Sequence, residues 1–220
     1  MIKNIIFDCY GTLVDIKTKE DFNVFKKLGK KYQLDPVIIK KEFDFYLQEF
    51  NKTIEEFDYL DIFREIYPED PLSFGVDYRK FSIKKIKLYK NVKKFLKNLK
   101  IEYDLYLLSN AQRIFIINEL KYLQIFDEFK DIVISSDLGI KKPNLDFFKY
   151  ILEKNKLKAD ETIMVGNDYL CDILSAKQLG LKTLYIKTNL SPDYENEVIK
   201  IKGFNYKKMI NEINILKYSK

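Results

Sequence analysis

The apolar run Ile5-Ile6-Phe7 leads directly into a carboxylate, Asp8, after which the chain turns through Tyr10, Gly11 and Thr12. Other apolar runs end in similar chemistry. One closes on Ser109 and Asn110, one on Asn167 and Asp168 with Asp172 a helical turn further on, and "GIKKPNLDFF" places Lys141 and Lys142 ahead of Pro143. A carboxylate held rigidly at a strand end can serve as a nucleophile. An anionic substrate attacked by it needs positive charge at hand. Lys142 supplies that charge, while Lys141 reads as surface charge. Asp8, the backbone carbonyl of Tyr10, and Asp168 offer oxygens of the kind that a hard, octahedral cation such as Mg²⁺ accepts. Thr12, Ser109 and Asn110 are short donors suited to the non-bridging oxygens of a substrate. The inventory is that of a phosphate-type site.

Composition narrows the remaining chemistry. The chain has 220 residues and no histidine. That removes Ser-His and Cys-His nucleophile systems and every His-ligated metal. Its two cysteines, Cys9 and Cys171, lack metal-ligand spacing and read as packing residues. The net charge of +6 comes from lysines scattered over helical faces, as in "FKKLGKKY", so no nucleic-acid partner is expected. No apolar run approaches the roughly 20 residues that span a bilayer. The first residues run straight into a strand pattern rather than a signal peptide, and the expectation is a cytoplasmic protein, monomer or homodimer.

Five short apolar runs must position these groups. They are residues 3–8, 104–110, 131–136, 162–167 and 182–188, rich in β-branched or aromatic residues, as buried parallel strands are. Helical patterns lie between the later ones, over 91–100, 113–123, 145–155 and 172–180, the last stopped by Gly180. The alternation predicts an α/β fold, a Rossmann-like doubly wound parallel sheet, with ligands bound at the carboxyl ends of its strands. Some 90 residues separate the first strand from the second. This stretch reads helical almost throughout, over 20–34, 36–51 and 54–67, punctuated by Pro36, Pro68, Pro71 and Gly75. It predicts an inserted helical bundle cored by Phe43, Phe45, Tyr46, Phe50, Phe57, Tyr59 and Phe63. A last helix follows Asn205.

At this point the chain resembles the haloacid dehalogenase (HAD) superfamily of hydrolases over nearly its whole length. "FDCYGTLVD" resembles the first family motif, "LLSN" the second, "KKP" the third and "VGNDYLCD" the acidic fourth. The resemblance implies a HAD-like core over 1–14 and 89–220 and a C1-type helical cap over 15–88. It implies Asp8 as nucleophile, Lys142 as catalytic lysine, and Thr12, Ser109 and Asn110 as substrate-binding residues. Mg²⁺ would be held by Asp8, the Tyr10 carbonyl, Asp168 and Asn167, with Asp172 acting through water.

Two departures from the family pattern bear on function. Family phosphatases usually carry a proton-donating Asp where this chain has Tyr10, and tyrosine there is typical of metal-independent 2-haloacid dehalogenases. Those enzymes use a cap arginine soon after the first motif, and none occurs here before Arg64. In the fourth motif the leading acid is replaced by Asn167, and Asp168 is expected to take over its ligand role. The leading expectation is a Mg²⁺-dependent phosphatase for a small phosphorylated metabolite, working through an aspartyl-phosphate. The alternatives are a 2-haloacid dehalogenase with an aspartyl-ester intermediate and a HAD-fold binding or regulatory protein of low turnover.

Overall fold

The computed structural model describes residues 1–53, 56–195, 197–199 and 201–218. Strand β1 (Asn4–Phe7) is fully buried and runs parallel to β4 (Asp104–Ser109) on one side and β6 (Thr162–Gly166) on the other. Beyond them lie β5 (Asp131–Ile134), β7 (Lys182–Lys187) and the two-residue β8 (Ile201–Lys202), giving the parallel order β5-β4-β1-β6-β7-β8. The chain winds outward from β1 through β4 to β5, then crosses back to β6 and continues the other way. The strand order therefore reverses beside β1, and a crevice opens there at the carboxyl ends. Asp8 follows β1 by one residue, so it lies in that crevice.

Alternation along the strands explains why both faces are apolar. Ile5 and Phe7 enter one core with Leu105, Leu107, Ile163 and Val165, while Ile6 enters the opposite core with Leu108 and Met164. Helices α5 (Val92–Leu99), α6 (Arg113–Tyr122) and α9 (Tyr206–Tyr218) are represented in the first core; α7 (Leu145–Lys154) and α8 (Ser175–Gln178) are represented in the second. No helix among the described residues is long and apolar enough to cross a membrane.

The insertion is bracketed by an antiparallel ribbon, β2 (Val14–Thr18) with β3 (Ile83–Leu88), that the helical reading of the segment did not foresee. The pairing slips between Lys17 and Thr18. That bulge breaks strict alternation: half-buried Ile83 and Ile86 stand at a helix-like spacing of three, and only Ile86 and Leu88 keep the strand period of two. Between the two strands lie α1 (Phe22–Tyr32), α2 (Pro36–Thr53), α3 (Tyr59–Ile66) and α4 (Pro71–Ser82). Asp21, Asp58 and Asp70 cap α1, α3 and α4 by accepting from backbone N–H groups of the first turn. Residues 54 and 55, where the third helical pattern was expected to begin, lie outside the described residues.

Gly75 does not punctuate the chain as the sequence suggested. It sits inside α4, where a Cβ would run into Phe63 and Ile114, so it marks the close approach of α4 to α6. The bundle core consequently includes Ile114 and Phe115 of α6 beside Phe25, Phe43, Phe63 and Tyr78. Of the aromatic residues expected in that core, Phe43, Phe57 and Phe63 are buried, and Tyr46, Phe50 and Tyr59 pack against them. Phe45 is 56% exposed. Phe63 is fully buried, with ring centroids 5.3 Å from Tyr78, 5.8 Å from Phe74 and 6.4 Å from Phe115. Phe63→Ala should therefore cost about 3–5 kcal/mol in urea unfolding. Phe45→Ala should stay within about 0.5 kcal/mol. Equal costs would show that α3 is not the keystone between the bundle and α6.

Candidate active site

The turn after β1 is built from backbone geometry. The N–H groups of Leu13 and Val14 donate to the Cys9 carbonyl at 2.8 and 3.0 Å, and Gly11, at φ +86°, permits the reversal. A Cβ at Gly11 would also overlap the Asn167 amide. The turn carries Thr12 back over Asp8, and its hydroxyl donates to Asp8 Oδ2 at 3.0 Å. From the far edge, Thr188 Oγ1 donates to the Gly11 carbonyl at 2.7 Å and ties the loop after β7 to this turn.

Lys142 is 3% exposed and spends all three ammonium protons: on Asp8 Oδ1 at 2.8 Å, Asp172 Oδ1 at 2.7 Å and the Leu108 carbonyl at 2.9 Å. Burial alone would lower its pKa, but the Asp172 and Asp8 carboxylates outweigh burial and hold it above the ordinary lysine value. Asp172, 1% exposed, is pushed above the carboxylate range by burial, partly offset by Lys142. Its Oδ2 accepts from the Asp168 N–H at 3.0 Å. Gly166 makes room for it, since a Cβ there would collide with the Asp172 side chain.

The other expected residues divide between the pocket and its supports. Asn110 spends its amide on Lys142: Nδ2 donates to the Lys142 carbonyl and Oδ1 accepts from the Lys142 N–H, both at 2.8 Å. Its side chain thus sets the lysine's position. Ser109 Oγ is buried without a hydrogen-bond partner among the described residues, at the end of the strand beside β1. An unpaired buried hydroxyl is costly unless something else occupies it.

The fourth motif differs in detail from the sequence expectation. Asn167, not Asp168, is the side chain packed against Asp8 Oδ2 and the Tyr10 carbonyl. Turned one way, its amide oxygen lies 3.0 Å from the Thr12 hydroxyl and competes with Asp8 for its one proton. Turned the other way, its nitrogen donates to the Tyr10 carbonyl at 2.9 Å and to Asp8 Oδ2 at 3.1 Å. Asp168 Oδ1 is engaged elsewhere, accepting from the Cys171 N–H at 2.8 Å and the Tyr194 hydroxyl at 2.9 Å. It caps the wide turn Tyr169–Leu174 that leads into α8. Asp8 Oδ2 and the Tyr10 carbonyl converge on one point, a donor set that fits a hard cation. Among the described residues no three carboxylate, imidazole or thiol groups gather to hold a metal. A cation here would rest on one carboxylate, a peptide carbonyl and the Asn167 amide.

Tyr10 has partners the sequence reading missed. Its hydroxyl donates to Glu119 Oε2 at 2.5 Å, and Arg79 Nε donates to Glu119 Oε1 at 2.6 Å. The Arg79 guanidinium lies 5.9 Å from the Tyr10 ring centroid. Burial, with Glu119 beside it, pushes the Tyr10 phenol well above its ordinary value. Arg79 arrives from α4 and Glu119 from α6, far from any motif. Arg79's place among only three arginines was the available signal.

Asp8, Tyr10, Asn110, Lys142, Asn167, Asp168 and Asp172 line one pocket of 180 Å³. Lys142→Met would leave two buried carboxylates facing each other without a cation. It should destabilise the protein by about 3–5 kcal/mol in urea unfolding. Adding Asp172→Leu should recover a large part of that loss without restoring function. A single variant as stable as the wild type would contradict the buried triad.

Comparison with known proteins agrees with this geometry. The family model described as haloacid dehalogenase-like hydrolase matches residues 5–186. A glyceraldehyde 3-phosphate phosphatase of Methanocaldococcus jannaschii is 29% identical over 210 residues, 90% of each chain. The Bacillus subtilis protein YfnB is 27% identical over 128 residues, but that alignment spans only 54% of its length. Its structure, solved bound to magnesium, superposes with a TM-score of 0.60 at 18% identity, covering 97% of this chain and 99% of that one. A 2-haloacid dehalogenase from Pseudomonas syringae pv. Tomato superposes with a TM-score of 0.68 at 18% identity, covering 98% and 99%. At these identities the superpositions speak for the fold. The sheet order, the strand-end carboxylate with its buried lysine, and a family match over most of the chain lead to one conclusion: this chain belongs to the haloacid dehalogenase-like hydrolase family.

Proposed function

We propose that this hydrolase is a Mg²⁺-dependent phosphatase for a small phosphorylated metabolite, with Asp8 as nucleophile. The observation that supports it most directly is the division of labour around Asp8. One of its oxygens is held by the Lys142 ammonium, and the other lies among Thr12, the Tyr10 carbonyl and Asn167. That arrangement suits a dianionic phosphoryl group better than a neutral electrophile. The M. jannaschii relative, named as a phosphatase acting on a triose phosphate, points the same way.

In this reading Asp8 attacks phosphorus, an Asp8 O–P bond forms, and the bond to the alcohol oxygen breaks. Water then attacks phosphorus, the Asp8 O–P bond breaks, the Asp8 carboxylate is restored, and the water oxygen leaves in inorganic phosphate with its proton passing to phosphate or solvent. Lys142 offsets charge on the phosphoryl oxygens from a site where water is excluded, which strengthens its effect. The unpaired Ser109 hydroxyl supplies a donor to the same group. Asp8, the Tyr10 carbonyl and Asn167 would hold Mg²⁺, with Asp168 nearby in the pocket wall. Bound there, Mg²⁺ would add a hard positive charge that draws a phosphoryl oxygen toward the nucleophile. Asp172 acts through Lys142, keeping it charged and aimed. Tyr10 does not replace the family's proton donor, because its hydroxyl is committed to Glu119. An alkyl leaving group therefore takes its proton from water, and aryl esters, which need none, should react faster than alkyl esters of the same size.

A second reading is the 2-haloacid dehalogenase, in which Asp8 attacks carbon and a halide departs without a proton. Tyr10 and the ability of the Asn167 amide to satisfy Asp8 and the Tyr10 carbonyl by itself favour it. Assays on an aryl phosphate and a 2-haloacid, each with Mg²⁺ and with EDTA, separate the two. Phosphate release that EDTA abolishes is expected. Activity on the haloacid alone, unaffected by EDTA, would overturn the phosphatase. Asp8→Asn keeps the side chain's shape but removes its nucleophilic charge, so it should lower kcat by at least about 10³-fold; the protein should still fold, with its unfolding midpoint lowered because Lys142 loses one of its two carboxylates. Retained turnover would exclude a covalent aspartyl intermediate.

The metal ligands can be told apart by calorimetry with Mg²⁺. Asn167→Asp should tighten binding by about tenfold or more, because a hard cation gains more from an anionic oxygen than from an amide. Asp168→Asn should weaken binding by less than that, since its carboxylate is held by Cys171 and Tyr194. The reverse ranking would place the cation at Asp168.

A further inference from the structure

The catalytic pocket opens onto a second, larger cavity of 530 Å³, and Tyr10 and Asn110 line both. A substrate whose phosphoryl group reaches Asp8 must place its remainder in this outer cavity. Its volume is ordinary for a small-molecule site. The insertion contributes Leu47, Phe57, Tyr59 and Arg79, and the core contributes Gln112 and Lys141.

The charges in that wall are already matched. Arg79 is 14% exposed and bound to Glu119 at 2.6 Å, and Lys141 is paired with Glu56 at 3.1 Å. Glu56 also accepts from Ser135 Oγ at 3.1 Å and is itself only 13% exposed. Glu20 forms no ion pair with any described residue; it accepts only the Tyr78 hydroxyl, at 2.9 Å. Each cation thus has its own carboxylate, and one carboxylate is left over. A second anionic group entering here would meet no uncommitted cation and would approach Glu20 and Glu56. Like charges repel there, more at Glu56, whose side chain is 13% exposed, than at the solvent-exposed Glu20.

Neutral polar groups fare differently. Tyr59 stacks on Phe57 with ring centroids 5.6 Å apart, and its hydroxyl has no partner among the described residues. Burial raises that phenol to about 12, so it stays protonated and able to donate. With Phe57 and Phe115 it forms an aromatic wall of the kind that packs on carbon chains bearing hydroxyl groups.

We infer that the substrate carries a single phosphoryl group on a short, uncharged polyol or hydroxycarbonyl remainder, and that esters with an anionic far end, a carboxylate or a second phosphate, are selected against. This rests on the phosphatase reading and sharpens it. The specificity residues are Glu20, Glu56 and Tyr59, with Glu119 acting by neutralising Arg79.

The test measures kcat/KM of the full chain with Mg²⁺ on para-nitrophenyl phosphate, glycerol 3-phosphate, 2-phosphoglycolate and fructose 1,6-bisphosphate. Glycerol 3-phosphate should exceed both doubly anionic esters by at least about tenfold. Glu20→Gln, at an exposed position, should narrow that ratio several-fold through KM. Glu56→Gln should narrow it further by freeing Lys141. Hydrolysis that favours 2-phosphoglycolate or the bisphosphate, or a ratio unmoved by Glu20→Gln, would overturn this inference alone. No hydrolysis of any of the four, para-nitrophenyl phosphate included, would overturn the phosphatase reading and this inference with it.

Discussion

A lysine ammonium buried between two carboxylates is the constraint on which the rest of the site depends. Lys142 lies in water-poor surroundings and is stable there only because Asp8, Asp172 and the Leu108 carbonyl each accept one of its protons. Removing either carboxylate would leave charge without its partner in a low-dielectric interior. The surroundings can be read as supports for this triad. Asn110 grips the lysine's backbone, Gly166 clears space for Asp172, and the Asp168 N–H orients the Asp172 carboxylate. Such a site is organised before substrate arrives, which is what electrostatic catalysis requires.

The sheet topology explains why the triad assembles where it does. Its three members come from different elements, Asp8 after β1, Lys142 ahead of α7 and Asp172 after β6, and the Leu108 carbonyl of β4 accepts the lysine's remaining proton. They meet because β4 and β6 flank β1 and the strand order reverses beside it. The Gly11 turn then directs the chain up into the ribbon that carries the insertion. Asp8 and the insertion are thus joined by only a few residues.

The insertion does not float above the core. Its aromatic interior takes in Ile114 and Phe115 of α6, and Gly75 lets α4 approach that helix closely. The same α4–α6 contact carries Arg79 to Glu119, and Glu119 to the Tyr10 hydroxyl. One packing interface therefore settles two things. It decides where the Tyr10 hydroxyl goes, to Glu119, and it pairs Arg79 in the cavity wall with the same carboxylate.

Much of the core was legible in the sequence, for physical reasons. Strands buried on both faces must be continuously apolar, so β1, β4, β5, β6 and β7 stand out, and a carboxylate or lysine at their ends is conspicuous against that background. Asp8 and Ser109 stand out because each ends or follows an apolar strand, and Thr12 and Lys142 because they sit in the short turns beyond such runs. Tertiary structure alone decided the rest. The β2–β3 ribbon was hidden because a bulge breaks its alternation, and β8 because two residues carry no period. Which of Asn167 and Asp168 packs against Asp8 turned on which side chain caps the Tyr169–Leu174 turn and meets Tyr194, 26 residues further along the chain. Arg79, Glu119, Glu56 and Glu20 belong to no motif. Their charges acquire meaning only where α4, α6 and the loops around them meet, because an ion pair depends on distance in space and not on separation along the chain.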